Sequence, residues 1–278
     1  MTIGRAAACA TAAAFALALL GACSGGGERV EDKVPERSGV APAALIDLSH
    51  WQLTLPVDAH GGTQGRAATV RTAALLEGYE SEWFYGSDED GVTFWAPVNG
   101  ALTPRSSFAR SELRQMRDPD NASANWAWTD TVALTAVLEV NQVPSENGKV
   151  TVGQVLGYDG EDPDISVLAK LVFEHHANRR ATLYALVYPS PYAPGSQAER
   201  LVIVEGLRLN RSFGYSIRLA AGHLHFATDA RSVTAPIDPS WADVGLYMRA
   251  GVALQARGLD ATDGGRVTFF ELEQGIED

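Results

Sequence analysis

Apolar and polar residues alternate along most of this chain, and the alternation favours strands over helices. Thr131 to Val140 is a run of strand formers, and Lys149 to Leu156 is another. Between them lies Asn147-Gly148, a dipeptide suited to a tight hairpin turn, so the pattern predicts that the two runs fold back on each other. Further strands are predicted over Leu183–Tyr188, Leu201–Val204 and Tyr215–Leu219. Another is predicted over Val267–Leu272, after the turn Asp263-Gly264-Gly265. The one helical candidate, Ala67 to Gly78, is short. Many short strands separated by turn residues imply an all-β domain, one β-sandwich from about 43 to 278.

The N-terminus breaks this pattern. Arg5 precedes the apolar run Ala6 to Leu20, which is too short for a comfortable membrane span and has the form of a signal segment. The run ends in Leu20-Gly21-Ala22-Cys23, which resembles a bacterial lipoprotein box. That resemblance implies a signal peptide over 1–22, lipidation at Cys23 and export to a bacterial outer membrane. A plain secretory signal cleaved near Ala22 is the other reading, leading to a secreted or periplasmic protein. Residues 23–42, rich in Gly, Glu, Arg and Pro, read as a flexible tether.

Composition narrows the function. The 278 residues carry a formal net charge of -12, and no basic stripe of the kind a nucleic-acid binder needs is visible. The only two cysteines are Cys9 and Cys23, so the folded part has neither a disulfide nor a thiolate metal site. A monomer is expected.

Three segments place polar residues at period two, which puts them on one face of a strand. In the first, Arg110, Glu112 and Arg114 share a face. In the second, Gln154 and Leu156 do, and in the third, Tyr247, Arg249 and Gly251. Such a face is either a solvated surface with a ladder of weak ion pairs or a binding cleft.

These segments resemble the alginate lyases of polysaccharide lyase family 7, whose blocks read Arg-(Thr/Ser)-Glu-Leu-Arg, Gln-(Ile/Val)-His and Tyr-Phe-Lys-Ala-Gly-x-Tyr-x-Gln. Here they stand as Arg110 to Arg114, Gln154 to Leu156 and Tyr247 to Gln255, in that order. Ile46 to Val57, Phe94 to Gly100, Asn125 to Trp128 and Arg266 to Leu272 resemble other family segments. The resemblance implies a jelly roll whose concave sheet is the groove for an anionic polysaccharide, alginate or a related polyuronate. It implies cleavage by β-elimination without a metal or other cofactor. Arg110 and Gln154 would neutralise the C5 carboxylate, and Tyr247 would act as acid and, in a syn elimination, as base too. Glu112, Arg114, Arg249 and position 156 would line the groove.

The sequence departs from the blocks at Leu156, in place of His, at Arg249, in place of Lys, and at Ala253 and Leu254, in place of Tyr and Asn. Leucine transfers no proton. Three outcomes stay open: Tyr247 works alone, which favours mannuronate-type units; another histidine substitutes; or the groove binds without cutting. His223 and His225 lie at period two and read either as a weak metal pair or as an exposed pair on a strand. Tyr247 also has a purely structural reading, as a packed aromatic. A glycoside hydrolase would need two carboxylates flanking the bond, and Glu112 is flanked by arginines instead.

Overall fold

The computed structural model describes residues 32–158, 163–192 and 197–276, all within one compact unit, Glu31–Asp278. The signal segment and Cys23 lie outside the described residues.

Fifteen strands among the described residues form two antiparallel sheets. In chain order they are β1 (Trp51–Thr54), β2 (Thr69–Val70), β3 (Phe84–Gly86), β4 (Val92–Pro97), β5 (Arg110–Gln115), β6 (Val132–Gln142), β7 (Lys149–Tyr158) and β8 (Pro163–His175). There follow β9 (Ala181–Val187), β10 (Glu199–Leu207), β11 (Phe213–Ala220), β12 (His223–Ala227), β13 (Ser232–Pro236), β14 (Gly245–Leu254) and β15 (Gly264–Ile276). One sheet runs β10-β9-β8-β7-β14-β5-β1-β2 and the other β13-β12-β11-β6-β15-β4-β3. The protein is an all-β jelly-roll sandwich.

The core lies between the sheets. Phe94 meets Phe84 and Phe269 edge to face, with ring centroids 5.1 and 5.3 Å apart. Leu113, Val155 and Ala250, from three neighbouring strands of the first sheet, are fully buried in the same cluster. Each large apolar side chain so placed contributes about 1.5–3 kcal/mol of burial. Because side chains alternate across a strand, the residues between them turn outward together.

Three expectations are corrected. The runs on either side of Asn147-Gly148 do not form a hairpin: β6 and β7 belong to different sheets. The dipeptide does make a tight turn, with Gly148 at φ +67° and its carbonyl accepting from His175 N–H. That turn carries the chain across the sandwich. The helical candidate shrinks to strand β2 and the five-residue helix α1 (Thr72–Leu76). From Lys33 onward, the segment read as a tether is bound to the domain. Lys33 bonds Glu89 and Glu139, Tyr85 Oη donates to the Pro35 carbonyl at 3.0 Å, and Arg37 bridges Ser87. Its polar composition signalled solvent, but its backbone groups are held by the fold.

Candidate active site

Strand register brings the three period-two segments onto one face. β14 lies between β5 and β7, with Arg249 opposite Arg114 on one side and Gln154 on the other. Gly251 faces Glu112, and Ala253 faces Arg110. Gly251 has φ +139°, and a Cβ there would come within 2.6 Å of the Ser111 carbonyl oxygen. Glu112 and Gln154 meet across β14.

Glu112 is the centre of the cluster. It is 0% exposed, and its Oε1 accepts a hydrogen bond from Gln154 Nε2 at 2.5 Å. Its Oε2 lies 3.3 Å from Arg110 Nη1 and 3.6 Å from Arg249 Nη1. A buried carboxylate is costly unless it is hydrogen-bonded and paired, and here two donors bond it and a second guanidinium lies close by. Glu112 therefore orients Arg110, Gln154 and Arg249.

Further bonds fix the arginines. Arg110 Nη2 donates to Ser106 Oγ at 3.0 Å, and Arg249 Nη1 donates to Thr54 Oγ1 at 3.1 Å. Arg114 Nη2 donates to the Ala122 carbonyl at 2.7 Å and to Asn125 Oδ1 at 3.1 Å. Beside Arg114 and Arg249 opens a cavity of about 150 Å³, also lined by Gln52, Thr54, Arg66 and Thr103.

Tyr247 stands on the same face but is 1% exposed. The Arg114 guanidinium lies 4.0 Å from its ring centroid and that of Arg249 5.6 Å. The ring thus forms a floor beneath two cations. Leu156 pairs with Tyr247 in register and so takes the same face, where it is 1% exposed.

No histidine comes near Gln154. His223 and His225 are on β12, in the other sheet, with rings 6.3 Å apart. His175 and His176 are at and beyond the far end of β8, and His176 Nε2 pairs with Thr182 Oγ1. His50 is held by the Met116 carbonyl, and His60 lies in the turn organised by Asp58. Among the described residues, no group of three His, Cys, Asp or Glu side chains is placed to hold a metal ion.

Sequence reasoning missed Lys170. It pairs in register with Gln154, on β8. Its neighbours Ala169 and Leu171 are fully buried, so Lys170 takes the outward face and is half-buried there. Burial and the nearby Arg110 pull its pKa below the ordinary lysine value, against the opposing pull of Glu112. The signal was a lone cation inside the apolar run Val167 to Phe173.

Comparison with known proteins follows this geometry. A profile of the alginate lyase family matches residues 46–275. An alginate lyase from Klebsiella pneumoniae is 28% identical, over 86% of this chain and 93% of its own. Among solved structures, alginate lyase A1-II', a member of polysaccharide lyase family 7, superposes with a TM-score of 0.75 at 27% identity, covering 86% of this chain and all of that one. Alginate lyase PA1167 from Pseudomonas aeruginosa gives 0.74 at 30% identity, covering 83% of this chain and all of its own. A variant of A1-II' solved with the substrate GGMG gives 0.74 at 28% identity, over 86% and 97% of the two chains.

Proposed function

The chain belongs to the alginate lyase family and is a polysaccharide lyase, and on that footing we propose that it cleaves the 1,4-linked uronate chain of alginate by β-elimination, mannuronate-type units being favoured. One observation carries this reading: Arg110 and Gln154, from strands separated by β14, are drawn together by the single buried carboxylate of Glu112. Elimination removes the C5 proton of a uronate and expels the C4 oxygen. An ionised carboxylate beside C5 makes that proton hard to remove, because negative charge builds on the carboxylate in the transition state. A guanidinium and an amide fixed in advance stabilise that charge without reorganising. Arg110 supplies a planar fork matched to a carboxylate.

The cavity beside Arg66, Arg114 and Arg249 suits the carboxylate of a neighbouring sugar. With Lys170 and Arg110, these cations make a positive groove on an acidic protein, and local potential governs the capture of an anionic polymer. The preference for mannuronate-type units rests on Leu156, since an aliphatic side chain supplies no proton-transfer group on the side opposite an acid.

The experiment mixes the protein with polymannuronate, polyguluronate and glucuronan and follows ultraviolet absorbance. Only elimination creates the conjugated double bond. Silence on all three leaves a groove that binds without cutting. The motif Leu20-Gly21-Ala22-Cys23 supports export and a lipid on Cys23, which labelled palmitate incorporation into wild type and not into Cys23→Ser would test. The protein works as a monomer in this reading, and a sedimentation measurement giving a dimer contradicts that.

A further inference from the structure

Side chains of a strand alternate between its two faces, so residues an odd number apart point to opposite sides. β7 breaks that rule. Lys149 pairs with Glu174 at 3.3 Å on the outward face, and Gln154, an odd number of residues on, reaches Glu112 on the same face. Their partners on β8, Glu174 and Lys170, are an even number apart. Between Lys149 and Gln154, Val150 lies in the core and Gly153 lies against Tyr215 and Ile217 of the opposite sheet. The change of phase falls at Val152. Thr151 pairs with Val172 and Gly153 with Leu171, so Val152 is an extra residue against β8. On its other side the register against β14 slips between Ala250 and Ala253. Without this bulge, the alternation set by Lys149 would turn Gln154 into the core.

The carbonyl of that extra residue accepts a hydrogen bond from Tyr215 Oη at 2.7 Å. Tyr215 stands on β11, in the opposite sheet, and is 2% exposed, so its hydroxyl crosses the core to reach the bulge. Burial, with the charge of Glu112 added, pushes its pKa far up, and the phenol stays a donor at any working pH. A Cβ on Gly153 would fall 3.0 Å from that hydroxyl, so the glycine leaves the room the bond needs. We propose that Tyr215 is a positioning residue for Gln154, an inference that rests on the lyase reading above: it holds the Val152 carbonyl, and with it the bulge that turns the Gln154 amide toward the substrate carboxylate.

A bulge interrupts the ladder and leaves its extra residue unpaired, so the strand needs another hold at that point. A buried carbonyl stripped of its donor is costly, and β7 relieves that cost by shifting against its neighbours. Any such shift carries Gln154 with it. The amide acts on charge that builds in the transition state, so its displacement costs turnover. Ground-state capture of the polymer persists, because the groove cations Arg66, Arg110, Arg114 and Arg249 stand on other strands and loops.

The test compares wild type, Tyr215→Phe, Gln154→Ala and the double variant on polymannuronate, reading kcat and KM separately below the thermal midpoint of each. Tyr215→Phe is expected to keep KM within about threefold and to lose kcat by about tenfold or more. In the Gln154→Ala background the same change is expected to cost less than about threefold, because the amide it positions is gone. A hydroxyl that only stabilised the fold would act alike in both backgrounds. A kcat loss under about tenfold in Tyr215→Phe, or one above about threefold in the Gln154→Ala background, overturns the inference. Should Tyr215→Phe not fold, Gly153→Ala combined with Ile217→Val decides. The added methyl presses on the hydroxyl, and valine removes the Cδ1 that would lie 2.9 Å from it. That pair is expected to show the same loss of kcat while Ile217→Val alone stays near wild type, and a pair as active as wild type overturns the inference. An active wild type with an unaffected Tyr215→Phe removes only this inference, whereas a silent wild type removes the lyase reading and this inference with it.

Discussion

Gln154 and Glu112, on strands separated by β14, are joined by a 2.5 Å hydrogen bond. The bond makes Glu112 the common partner of Gln154, Arg110 and Arg249. An acidic residue inside a site for an acidic polymer works here as an internal counter-ion. It holds the cations at fixed positions.

Glu112→Ala is predicted to cost about 3–5 kcal/mol of stability, because it leaves buried guanidinium groups without their carboxylate. Chemical denaturation measures this. Activity falls in the same variant, since Gln154 and Arg110 lose their common anchor. Unchanged stability would mean that Arg110 and Arg249 find other partners.

Arg110→Lys is predicted to lower kcat/KM on polymannuronate about 100-fold while leaving the fold intact. Lysine keeps the charge and loses the fork that bonds both a carboxylate and Ser106. A loss under threefold in steady-state kinetics would show that charge alone suffices at this position.

Tyr247 separates floor from acid. Tyr247→Phe keeps the ring beneath Arg114 and Arg249 and removes only the hydroxyl, so it is predicted to fold and to lose about 100-fold in kcat, whereas Tyr247→Ala also loses about 3–5 kcal/mol of stability by opening the space under two cations. Kinetics and thermal unfolding of the pair decide the matter. A kcat within about threefold of wild type in Tyr247→Phe would leave the phenol as a packed aromatic alone.

Alkaline stability reports the outward face beyond Lys170. Tyr184, covered by its surroundings and close to Glu174, has its pKa pushed up from 10.0 to about 12. The folded state therefore favours the neutral phenol. Its contribution is complete below the unfolded pKa of 10.0 and is lost as pH rises through that value toward about 12. Denaturation at a series of pH values is expected to show a shallower decline over that window in Tyr184→Phe than in wild type. Equal slopes would remove Tyr184 as a cause.

How much of this was legible in the sequence differs from element to element. β5, β7 and β14 were, because period two on a strand fixes which side chains share a face, and the cluster of Arg110, Glu112, Gln154 and Arg249 follows from it. Asn147-Gly148 showed a turn but not a partner, since turn chemistry is local and strand pairing is not. Spacing put Tyr247 on the correct face without revealing that Arg114 would lie on its ring. Lys170 was hidden for a different reason. β8 shifts register against β7 near Thr151 and again near Val155, and those irregularities break the alternation that would have marked its outward residues. The backbone bonds of Ser38 and Lys33 to the domain leave no compositional trace at all.

The central claim is that the Arg110–Gln154 pair holds a uronate carboxylate for elimination. The most direct measurement is ultraviolet absorbance during incubation of wild type and Arg110→Ala with polymannuronate, with folding of both checked by circular dichroism. The account predicts a steady rise with wild type and almost none with the variant. Equal rises in the two, or a flat trace from folded wild type on every uronate polymer tried, would contradict it.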